Sequence, residues 1–94
     1  LMLRHSISFI IIFNLLFQYS FAQKELKQLE RANALFEDYS YVQAIIEYEK
    51  LLKKYNIAEA KLKLAECYRL TKQMDNAERW FYNASEQNAV DSIY

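Results

Sequence analysis

Ninety-four residues leave room for one small domain at most, and twelve basic side chains against twelve acidic ones give a formal net charge of zero. That balance excludes the clustered basic surplus by which a nucleic-acid-binding surface is recognised. A single cysteine excludes an internal disulfide, and a chain without Gly cannot build a glycine-rich phosphate loop.

The first element is apolar. Arg4 and His5 precede an uncharged stretch from Ser6 to Gln23, within which ISFIIIFNLLF ends near Phe17 and small residues stand at Ser20 and Ala22. A basic start, a short apolar centre and small residues before the junction predict a secretory signal peptide over residues 1–22, cleaved after Ala22. Asn14 and Gln18 interrupt the stretch short of the ~20 mainly apolar residues that a spanning helix needs, and an uncleaved anchor is the competing reading. Gln23 follows the junction where a lipoprotein would carry Cys, so no lipid anchor is indicated. Membrane contact is expected only through the signal peptide during export. Processing removes Arg4 and the only histidine, leaving eleven basic and twelve acidic side chains.

Residues 23–94 contain neither Gly nor Pro, which argues against hairpins and for helices joined by short polar turns. Four helices are predicted, at roughly 24–38, 41–54, 57–70 and 74–88. In the second, apolar residues at 41, 44, 45, 48, 51, 52 and 55 have the three-and-four spacing of one buried stripe. Ser40 with Gln43 reads as a capping box, and Asn56 with Glu59 as a weaker start signal for the third helix. Glu49 and Lys53 sit four apart on a solvated face. The fourth helix has Met74, Ala77, Phe81 and Ala84 as its stripe, and Trp80 and Tyr82 on the edges for a partner or a following element.

The chain also repeats itself. A shift of 33 residues aligns Ala32 with Ala65, Leu35 with Tyr68, Tyr41 with Met74, Ala44 with Ala77, and Tyr48 with Phe81. Such a period marks stacked helical repeats. Small residues let two helix backbones approach while large neighbours fill the gaps, because close packing punishes voids and overlaps alike.

This pattern resembles the tetratricopeptide repeat, with one unit at 25–57, a second at 58–90 and the start of a third at 91–94. On that scheme Ala32, Leu35, Ala44 and Tyr48 are the packing positions of the first unit, and Leu64, Ala65, Tyr68, Ala77, Phe81 and Ala84 those of the second. The chain departs from the family at the early aromatic (Gln28, Lys61), at the turn glycine (Tyr39, Lys72) and at the closing proline (Asn56, Ala89). The resemblance implies an all-α fold of antiparallel helix pairs stacked as a solenoid, with Tyr94 at the early aromatic position of the third unit. Repeat arrays need three or more units to bury their faces, so the segment is expected to be the beginning of a longer protein.

Catalysis finds little material. Without histidine the processed chain has no Ser/His or Cys/His arrangement and no His-based zinc site. Glu37 and Asp38 are adjacent at a helix end, where a solvated turn explains them. Cys67 is expected as a buried filler, and the sequon at Asn83 to Ser85 lies inside a predicted helix. No catalytic, cofactor or metal residue is assigned, and the chain is read as no enzyme. The resemblance implies binding in a groove lined by Leu26, Leu29, Asn33 and Phe36, then Glu59, Leu62, Glu66 and Arg69. Family members that clamp a peptide carboxylate use Lys, Asn and Arg at such positions. Here Leu29, Glu59 and Glu66 contradict that pattern and only Asn33 agrees. Leu26, Leu29 and Phe36 serve either a peptide partner or further repeats of the same chain.

With the leader, the stretches ALFEDYSYVQAIIEYEKLL and KLAECYRLTKQMDNAERWF look like the opening of bacterial envelope proteins that join such repeats to an OmpA-like peptidoglycan-binding domain. The expectation is an exported interaction scaffold of the periplasm or outer membrane, peptidoglycan binding belonging to the parent protein. The alternatives are the helical prefix of an envelope enzyme and a small exported helical protein that self-associates.

Overall fold

The computed structural model describes the backbone of residues 2–93 and the side chains of residues 10–15 and 22–87. The side chains of Asp91 to Tyr94, assigned to a third unit, lie outside the described residues. Four helices and no strand are present among them: α1 (Met2–Glu37), α2 (Tyr41–Lys54), α3 (Ala58–Leu70) and α4 (Met74–Ile93). They form two antiparallel hairpins, α1 with α2 and α3 with α4, joined through the α2–α3 contact; α1 and α3 meet only along a short seam.

Each hairpin turns on a non-glycine residue in left-handed conformation, Tyr39 at φ 61° and Lys72 at φ 64°. Around Tyr39 the Ser40 N–H donates to the Leu35 carbonyl at 2.9 Å and the Tyr39 N–H to Phe36 at 3.1 Å. Around Lys72 the Gln73 N–H donates to Tyr68 at 2.8 Å and the Lys72 N–H to Arg69 at 3.0 Å. Both turns are Schellman motifs, which satisfy carbonyls that a helix end leaves unpaired. The residue after each left-handed position then accepts from the next helix, Ser40 from the Ala44 N–H and Gln73 from the Ala77 N–H. Tyr39 and Lys72 are thus the residues at which the sequence departs from a turn glycine.

Packing follows from the order of the helices. α2 lies between α1 and α3 and buries Ala44, Ile45, Tyr48 and Leu51. α3, between α2 and α4, buries Ala60, Lys61, Leu64, Ala65, Cys67 and Tyr68. Fully burying a side chain of the size of Leu51 or Leu64 contributes about 1.5–3 kcal/mol. Ala32, Ala77 and Ala84 complete the core, with Leu35 packed against it.

Several expectations need correction. The first helix does not begin near residue 24: α1 is continuous from Met2 through Ala22 and Gln23, with nothing in the backbone marking the junction. Neither Ser40 nor Ile57, the residues that precede α2 and α3, makes a side-chain capping bond. Ser40 is held by the Schellman turn at φ −86°, ψ 64°, and Asn56 lies one position too early to cap α3. The stripe of α4 is narrower than expected, because Met74 is 56% and Phe81 37% exposed. The reason is topological: Tyr48 sits on a helix with neighbours on two sides, whereas among the described residues α4 packs only on α3. α4 also runs to Ile93, past the position equivalent to the end of α2 at Lys54.

Candidate interaction surface

The eight groove residues divide. Leu26, Glu59, Leu62 and Arg69 are exposed, while Leu29, Asn33, Phe36 and Glu66 are partly buried. Leu29 and Phe36 pack against the core cluster. The Phe36 ring meets Tyr41 edge-on at 5.6 Å and lies under the Lys63 ammonium, 5.4 Å from the ring centroid, a contact that ties α1 to α3. Asn33, the one residue that suits a carboxylate clamp, spends its Oδ1 on the Tyr48 hydroxyl, which donates at 2.5 Å. Glu66 accepts from the Arg69 guanidinium one turn on, and that charge-assisted bond holds the Glu66 carboxyl below the usual range. Of the apolar groove positions, Leu26 and Leu62 therefore present the open surface.

Glu49 is partly buried and, among the described residues, makes no ion pair with Lys53. It accepts a hydrogen bond from the Tyr68 hydroxyl, joining α2 to α3. Burial first, and that carboxylate second, push the Tyr68 phenol up to about 12. Burial likewise raises the Tyr48 phenol, and it pushes the free Cys67 thiol up to about 11. Among the described residues no group of three or more His, Cys, Asp or Glu is placed to hold a metal ion, and no helix is long and apolar enough to cross a membrane.

No family model, curated protein or solved structure matches this chain.

The end of the bundle opposite the two Schellman turns brings together residues that the sequence names separately, Trp80 among them as an edge aromatic. A cleft of about 270 Å³ between α1 and α2 is lined by Gln28, Arg31, Glu47, Lys50, Lys53 and Lys54. A second, of about 360 Å³, lies where the end of α2 meets α3 and α4; Lys53, Lys54, Lys61, Trp80 and Asn83 are among its walls. Lys61 was legible only as a replaced aromatic and Asn83 only as a sequon. What joins them is the Lys61 Nζ donating to Asn83 Oδ1 at 2.8 Å. The single hint in sequence was their spacing of 22 residues, which places them on facing helices of one unit.

Proposed function

We propose that residues 23–94 are two stacked tetratricopeptide-like units of a protein-interaction scaffold exported to the cell envelope. One observation carries this reading. The same hairpin occurs twice at an interval of 33 residues, with a left-handed residue at Tyr39 and Lys72 and a buried alanine five positions later, at Ala44 and Ala77. Stacked helix pairs of this kind work by presenting a surface across units, not by aligning reactive groups. Leu26 on α1 and Leu62 on α3, 54% and 42% exposed, with Glu59 beside Leu62, offer that surface to a peptide or protein partner. The envelope location rests on the leader-like residues 1–22, and peptidoglycan attachment is proposed only for a parent protein of the kind this segment resembles.

The test is a photo-crosslinking residue placed at Leu26, at Leu62 or at Lys72 in the exporting cell. A common adduct from Leu26 and Leu62 that is missing at Lys72 is expected. Absence of any adduct, or equal labelling from Lys72, would overturn the assignment of the surface.

A further inference from the structure

Lys61 stands in the first turn of α3 and is only 9% exposed. A buried ammonium is costly without a compensating charge, and the first turn is the positive end of the helix dipole, where a cation is disfavoured. Yet among the described residues no carboxylate forms an ion pair with Lys61, Lys53 or Lys54; the two ion pairs are Lys50 with Glu47 and Arg69 with Glu66. Asn83 takes one of the three Lys61 donors. The helix dipole explains Lys53 and Lys54, in the last turn of α2. It makes the position of Lys61 worse.

These three lysines line one cleft of about 360 Å³ that has no carboxylate among the described residues of its walls and whose other described polar side chains are those of Tyr55, Asn56, Trp80 and Asn83. We propose that this cleft binds the phosphate group of an organic phosphate, with Lys61 at its centre, Lys53 and Lys54 closing it from α2, and Trp80 beside the organic body. Three compact ammonium charges suit a group carrying close to two negative charges; a single carboxylate is matched better by the planar fork of Arg, and there is no Arg among the described residues of the cleft. The bound anion supplies the counter-charge that Lys61 lacks and sits at the favourable end of the α3 dipole.

Trp80 is the only tryptophan in the chain, so its emission reports on this cleft alone. The full 94-residue chain, in an uncharged detergent, is titrated with inorganic phosphate, glycerol phosphate and acetate, and separately with phosphatidylcholine vesicles with and without phosphatidic acid. A saturable change with phosphate or glycerol phosphate assigns a soluble ligand. A response confined to phosphatidic acid vesicles assigns a lipid headgroup, and either supports the site. Lys61→Met, checked for helicity, is expected to weaken binding about ten-fold or more, and the exposed pair Lys53→Gln with Lys54→Gln several-fold, in line with the loss of charge-assisted bonds. Lys72→Gln, at the opposite end, is expected to bind as the parent does. No response to any phosphate, an equal response to acetate, unchanged binding by both lysine variants, or an equal loss in Lys72→Gln would overturn the proposal.

Discussion

The Tyr48 hydroxyl on α2 donates a 2.5 Å hydrogen bond to Asn33 Oδ1 on α1, while the Tyr48 side chain is wholly buried. A large aromatic therefore fills the space beside Ala44 and has its one polar atom satisfied by the residue that the groove would otherwise use. Tyr48→Phe is expected to lose about 1 kcal/mol of stability, the net value of one such bond. A cycle with Asn33→Ala separates the bond from packing, and denaturant midpoints that do not move in Tyr48→Phe would show that the bond contributes nothing.

Lys72 holds φ 64° without being glycine. A left-handed backbone costs a residue with a Cβ about 1–2 kcal/mol, part of which glycine gives back through the freedom of its unfolded chain. Lys72→Gly is expected to raise stability by about 0.5–1 kcal/mol and Lys72→Val to lower it by at least as much. Tyr39→Gly should gain less, since the Tyr39 ring also meets Tyr41 edge-on at 6.2 Å. Urea unfolding followed by circular dichroism measures all three.

Ala44 has no exposed surface, inside a helix packed on both sides. Ala44→Phe is expected to cost about 1–3 kcal/mol or more through overpacking. A soluble, fully helical variant with parental stability would contradict the close approach of α1 and α2.

Alkali should unfold the chain in a defined window. Cys67 and Tyr68 have ordinary values of 9.0 and 10.0, and the fold raises them to about 11 and about 12. The Tyr48 phenol is raised in the same direction. Above pH 9 the unfolded chain gives up protons that the native one still binds, so stability is complete below pH 9 and falls as pH rises toward 12. At pH 8 the native Cys67 thiol should be far slower toward a disulfide reagent than the same thiol in urea. Equal rates would mean that it is not enclosed.

When the chain is exported, its intact mass should correspond to a start at Gln23. Retention of residues 1–22 in the membrane fraction would favour the uncleaved anchor, for which the continuous helix α1 offers no backbone obstacle.

The limits of α2, the burial of Ala44 and Ala77, and the interval of 33 residues are all legible in the amino-acid sequence, because apolar period and residue size are local properties of the chain. The groove is only partly legible there. Asn33 and Phe36 lie on the expected helix, but a phenol and an ammonium from other helices occupy them. Phe81 misleads because an aligned residue class says nothing about how many neighbours its helix has.

The sequence by itself determined that the chain is helical, where its hairpins fall and which small residues let them close. Only the tertiary structure decided that Tyr48 is enclosed while Phe81 is exposed, that Asn33 and Glu49 are taken up by the phenols of Tyr48 and Tyr68, and that Lys61 is buried opposite Asn83. These are relations between helices, set by what packs against each face, and no period along one helix contains that information.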